Sequence, residues 1–178
     1  FDLLSQIGVS PSRVIAAAID ETPARREKPA DLVKRLAEAK AAAVAEKNPK
    51  FWVLGADTVV ACGQRILSKA ADEVEARVYL ELLSGRRHRV YGGICLIAPD
   101  GQRRTRRVTT AVVFKRLDRN EIDTYISLGE WQGKAGAYAI QGAAAAFVPK
   151  IIGSYTNVVG LALTETVALL RGAGFRPD

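Results

Sequence analysis

The chain has 178 residues, enough for one domain with a substantial buried core, and its 48% apolar and 25% charged residues are those of an ordinary globular protein. The net charge of +7 favours an anionic partner, yet Lys and Arg are scattered along the chain, and the sparse aromatics (7%) form no RNA-binding motif, which argues against a dedicated nucleic-acid module. No signal peptide, membrane-spanning run, CxxC or Cys/His spacing is visible, so Cys62 and Cys95 read as reduced core residues of a cytoplasmic protein.

Residues 2 to 7 read as the end of a helix stopped by Gly8 and Pro11, and "RVIAAAID" (13 to 20) as a strand ending in Asp20 and Glu21. Two adjacent acids at a strand end are usually a solvated turn or a cap. Neighbouring strand residues face opposite ways, so at most one of them is expected to join a site. A polar connection then leads into "DLVKRLAEAKAAAVAEKN", a helix from 31 to 48 with Asp31 as its N-cap. Its apolar stripe runs through Leu32, Val33, Leu36, Ala37, Ala43 and Val44, and the 3.6-residue period places Lys40 on that stripe. Either Lys40 snorkels its ammonium to water, or it meets a buried anion.

"VLGADTVVAC" (53 to 62) reads as a buried central strand, closed by a turn at Gly63 and Gln64. Asp57 shares a face with Val53 and Val59, while Leu54, Ala56, Thr58 and Val60 point the other way. An unpaired carboxylate there costs several kcal/mol, so Asp57 needs a partner. It either bonds backbone amides at a turn or serves a cleft, binding a metal or activating water. Glu21 beside Asp57 would make a hard-oxygen pair suited to Mg²⁺.

A short strand "RIL" follows, then Lys69 near the start of a helix over about 72 to 83; a lysine there is more often on the surface. "HRVYGGICLIAPD", the turn at Gly101 and Gln102, and "RRVTTAVVFKRL" read as a long hairpin. His88, the single histidine, lacks the company for a triad or a zinc site and reads as structural. Arg86, Arg87 and Arg89 could hold phosphate or be an exposed strand start. "RNEIDTYISLG" is a helix ended by Gly129, and a last helix begins after Thr164 and ends at Gly172. Between them "GKAGAYAIQG" (133 to 142), with Lys134 and Gln141, suits a loop close to a ligand but lacks the P-loop and dinucleotide patterns. Helices and strands interleave around a hairpin, so the fold class is α/β with a mixed, twisted sheet flanked by helices, one domain over 1 to 178.

Seven segments in this order, "IDE" (19 to 21), "RLAEAKA" (35 to 41), "GADTVV" (55 to 60), "ILSK" (66 to 69), "LSGRRHRV" (83 to 90), "YISLGEWQGKAGAYAIQG" (125 to 142) and "GSYTNVVGL" (153 to 161), resemble the Maf family of nucleotide pyrophosphatases, also described as septum-formation inhibitors. The resemblance implies a Maf or ITPase-like fold with a ligand cleft between two lobes. It implies hydrolysis of nucleoside triphosphates to the monophosphate and pyrophosphate with a divalent cation, Mg²⁺ or Mn²⁺. The family's acidic residues fall on Glu21 and Asp57, its phosphate-binding lysines on Lys40 and Lys69, and its site glutamine on Gln141; Lys134 is a further phosphate or base contact. The segments at 133 to 142 and 153 to 161 look like the branch acting on dTTP and UTP, with modified pyrimidine nucleotides also in range. The family opens with a strand and a Ser-Pro-Arg-Arg loop that contacts the phosphates, a segment expected ahead of Phe1. The usual Gly-Lys-Pro reads Ser68-Lys69-Ala70, and the usual Gly-Leu-Pro reads Gly160-Leu161-Ala162, changes that alter loop stiffness. A homodimer is left open. The alternative reading is a noncatalytic nucleotide-binding regulator of septum formation; an RNA-binding reading predicts steep salt dependence instead.

Overall fold

A computed structural model describes residues 2–176. Helix α1 (Asp2–Gln6) precedes a long irregular stretch, and α2 (Pro29–Lys47) leads into the hairpin of β1 (Val53–Cys62) and β2 (Arg65–Leu67). Helix α3 (Glu73–Leu83) is followed by the hairpin of β3 (Arg87–Ile97) and β4 (Arg103–Val113). Then come α4 (Arg119–Leu128), a 3-10 turn at Ala143–Phe147, β5 (Lys150–Ile152), α5 (Tyr155–Val159) and α6 (Leu163–Gly172). Local chemistry fixes several of these ends. Asp72 caps α3 by accepting from the Glu75 amide at 2.8 Å. Asp118 and Glu121 form a reciprocal capping box on α4, and Gly129 ends it in the left-handed conformation at φ 70°.

The five strands form one open sheet in the order β2-β1-β3-β4-β5, and every pairing is antiparallel. The α/β reading therefore holds, but the parallel component suggested by interleaved helices and strands is absent among the described residues. The connection through α3 carries the chain from β2 past β1 to β3, and the one through α4 carries it from β4 to its antiparallel neighbour β5. The helix at 31 to 48 begins two residues earlier than expected. Pro29 stands in its first turn, where a missing N–H costs nothing, so Lys28 is the N-cap and Asp31 lies inside the first turn. Residues 13 to 20, expected as a strand, have no ladder partner; Val14 and Ile15 are exposed. Apolar β-branched residues favour a strand only where another backbone lies within hydrogen-bonding reach. Here a groove of ≈ 950 Å³ separates the stretch from the free edge of β1.

Two glycines decide how α2 meets the sheet. A Cβ at Gly55 would lie 2.6 Å from the Ala37 carbonyl oxygen, and one at Gly93 only 2.3 Å from that of Val33. The helix backbone therefore rests directly on β1 and β3, burying Leu32, Val33, Leu36 and Ala37 against Val59 and its neighbours. Each large side chain buried this way contributes about 2 kcal/mol. On the opposite face α6 packs Leu169 and Leu170 on Ile94 and Leu96. The largest core cluster gathers α3, α4 and one end of the sheet around Leu67, Leu80, Phe114 and Tyr125. No helix among the described residues is long and apolar enough to cross a membrane.

Candidate active site

Because α2 lies so close to β1, Lys40, three residues beyond Ala37, comes over Asp57, two residues beyond Gly55 on the same face of the strand. Its ammonium donates to Asp57 Oδ1 at 2.6 Å and lies 2.7 Å from Glu21 Oε1. Lys40 thus does not snorkel away from the apolar stripe: it joins two carboxylates that are 36 residues apart in sequence. Asp20, the neighbouring acid, turns aside and accepts from the Thr22 amide at 2.9 Å, the local turn bond that Asp makes outside regular structure.

Burial pushes the Asp57 carboxyl above its ordinary value, outweighing the hydrogen bond and charge of Lys40. Glu21 is more exposed, and the Lys40 hydrogen bond holds it below the ordinary value. For Lys40 itself, burial disfavours the ammonium, but the two carboxylates together win and its pKa is raised. The cluster therefore keeps a cation between one strongly acidic carboxyl and one unusually basic carboxylate.

A cleft of ≈ 600 Å³ opens over these groups, and Glu21, Asp57, Lys69, Lys134 and Gln141 all line it. Lys40 lies at its junction with the larger groove, which contains none of the acids. Lys69 leaves the "ILSK" segment as it pairs with Ala135 in an antiparallel bridge, and Gly136 donates to the Leu67 carbonyl at 3.0 Å. That zipper fastens the 133 to 142 loop across the cleft from α2. All six sequence-derived candidates are thus in or at one cleft. Arg86, Arg87 and Arg89 do not line it and form the exposed start of β3. The lone His88 is buried, with Nε2 2.8 Å from the Tyr138 hydroxyl and an edge-on contact to Phe114, a structural placement. Sequence reading missed Ser68, Thr58 and Tyr138 as cleft-lining residues, and also the α5 end at Val158 to Gly160. Each of them stands inside a segment that carries the family resemblance, "GKAGAYAIQG", "GADTVV", "ILSK" or "GSYTNVVGL", which was the usable signal; their own residue types carry none.

The donor set suits a hard divalent cation: two carboxylates, each with one oxygen left by Lys40, in a cleft roomy enough for phosphate oxygens and water. The same arrangement suits a polyphosphate, since Lys69 and Lys134 line the cleft and Lys40 lies at its edge.

The family model described as "Maf-like protein" matches residues 1–173. A protein of Paramagnetospirillum magneticum named dTTP/UTP pyrophosphatase is 61% identical over 99% of this chain and 93% of its own length. Proteins of the same name from Mesorhizobium japonicum and Agrobacterium fabrum are 56% and 55% identical, each over 98% of this chain and 87% of its own length.

Proposed function

This chain belongs to the Maf family, and from that premise we propose that it is a nucleoside triphosphate pyrophosphatase, hydrolysing dTTP and UTP to the monophosphate and pyrophosphate. The observation that carries the reading is the Lys40 bridge between Glu21 and Asp57 at the floor of a lysine-lined cleft. Asp57 is the base. Lys40 engages Oδ1, which leaves Oδ2 to take the proton of the water that attacks the α-phosphorus, and burial makes this carboxylate more basic than usual. As the bond from the α-phosphorus to the bridging oxygen breaks, negative charge collects on the departing pyrophosphate, where Lys69 and Lys134 in the cleft and Lys40 at its edge oppose it. Gln141 offers both a donor and an acceptor to the pyrimidine edge. Glu21 would hold Mg²⁺ or Mn²⁺ directly through its remaining oxygen, and Asp57 would hold it through water. When bound, the cation neutralises charge on the phosphates and favours ionisation of water.

A segment ahead of Phe1 such as the family resemblance implies would find room in the ≈ 950 Å³ groove, beside the edge of β1 at residues 53 to 59 that no strand pairs among the described residues. A cytoplasmic location fits two cysteines left as free thiols. The test is product analysis after incubation with Mg²⁺ and, separately, dTTP, UTP, CTP, ATP, GTP and 7-methyl-GTP, beside Asp57→Asn. Monophosphate and pyrophosphate from dTTP and UTP, lost in the variant, are the expected result. Tight nucleotide binding with no turnover would replace this reading by that of a noncatalytic regulator.

A further inference from the structure

We propose that Glu130 is a positioning residue for Gln141, holding the base-side wall of the cleft from behind. Glu130 follows α4 and does not line the cleft. Its Oε2 accepts from the Ala143 amide at 2.8 Å, at the start of the 3-10 turn that begins two residues after Gln141. The residue between them is glycine for a reason of space. Gly142 has φ −107° and ψ −151°, extended backbone open to other residues, yet a Cβ there would lie 2.0 Å from Glu130 Oε2. The carboxylate fills the volume that a side chain would take.

A second bond lies on the other side of Gln141. The Tyr125 hydroxyl, from within α4, accepts from the Ala139 amide at 3.0 Å. The two backbone amides that flank Gln141 at a distance of two residues are therefore both tied to α4 or to the turn that ends it. Tyr125 is fully buried in the large core cluster, so the tether at Ala139 is rigid. Glu130 supplies the tether that the exposed side of the loop would otherwise lack. The Gln141 side chain is exposed in the cleft, and fixing its backbone lowers the entropy lost when it binds substrate.

This inference rests on Gln141 as a substrate contact, and the experiment separates the two claims. Steady-state kinetics with UTP and CTP would be measured for wild type, Glu130→Ala, Glu130→Gln, Gln141→Ala and the Glu130→Ala/Gln141→Ala pair, with thermal melting of each. Gln141→Ala is expected to raise KM for UTP about tenfold and to lower the preference for UTP over CTP. Glu130→Ala should raise KM and lower that preference in the same sense, with kcat changed by less than about threefold. Glu130→Gln keeps an acceptor oxygen and should recover most of the loss, and the double variant should be no worse than Gln141→Ala. Gly142→Ala displaces the same carboxylate and should reproduce the Glu130→Ala profile, including where Glu130→Ala folds poorly. If Gln141→Ala alters KM and preference but Glu130→Ala and Gly142→Ala do not, or if the double variant is multiplicative, Glu130 does not act through Gln141. If Gln141→Ala changes neither quantity, both the substrate contact and the positioning role fall.

Discussion

Asp57 and His88 stand on adjacent strands and both are withdrawn from water, yet the fold treats them in opposite ways. Asp57 stays close to a cleft, with its charge answered by Lys40, whose ammonium Glu21 also engages. His88 is 1% exposed, packed edge-on to Phe114 and Tyr138, and burial drives its pKa down to about 4, so that it is neutral through the ordinary range. A buried group that must hold charge needs partners from distant parts of the chain, whereas a neutral one tolerates apolar walls and a single hydrogen bond, here at Nε2, with Nδ1 left unbonded among the described residues. The contrast places Asp57 in the candidate site and His88 in the core.

The largest expected effect attacks the charged side. Asp57→Asn should lower kcat/KM by about 10³-fold while leaving Tm unchanged or raised. The sign follows from the raised pKa. A carboxyl that binds its proton more tightly folded than unfolded opposes folding once pH exceeds both values, and the amide removes that cost. Thermal melting beside kinetics checks it, and a large fall in Tm would make Asp57 a structural residue after all.

The next effect belongs to His88. Its folded pKa of about 4 lies below the ordinary 6.5, so the unfolded chain binds the extra proton first as pH falls. Stability present above pH 6.5 should therefore decline by about 3 kcal/mol by pH 4 from this group alone. Denaturant unfolding of wild type and His88→Gln across that range should show the wild-type slope to be steeper, and equal slopes would contradict the burial argument.

A smaller effect tests the bridge itself. Lys40→Met leaves Asp57 withdrawn from water without its cation and should destabilise by about 2 kcal/mol, reduced from the fully buried case because Lys40 and Glu21 keep some solvent access. Adding Asp57→Asn should recover part of that loss in chemical denaturation. Smallest of all, Arg87→Ala at the exposed start of β3 should change stability by less than about 0.5 kcal/mol and kcat/KM by less than about twofold. A tenfold fall would bring the arginine cluster back into substrate binding.

Much of the candidate site was legible because its residues violate local pattern. Asp57 interrupts an apolar strand and Lys40 an apolar helical stripe, and each anomaly points to a partner elsewhere. Helix and hairpin positions were also local properties: caps, glycine stops and turn residues act within a few positions. The stretch at 13 to 20 has the residues of a strand but forms none, because a strand is completed by another backbone, which its own residues do not specify.

By itself, then, the sequence determined which residues were out of place and where the chain would turn or coil, since propensity, periodicity and capping are short-range. Only the tertiary structure decided that the out-of-place residues belong together. That step depends on the close seating of α2 over Gly55 and Gly93 and on the zipper from Leu67 and Lys69 to the 133 to 142 loop. The ladder between β1 and β3 and the enclosure of His88 likewise join residues far apart in sequence, where packing and long-range hydrogen bonds rather than local preference set the outcome.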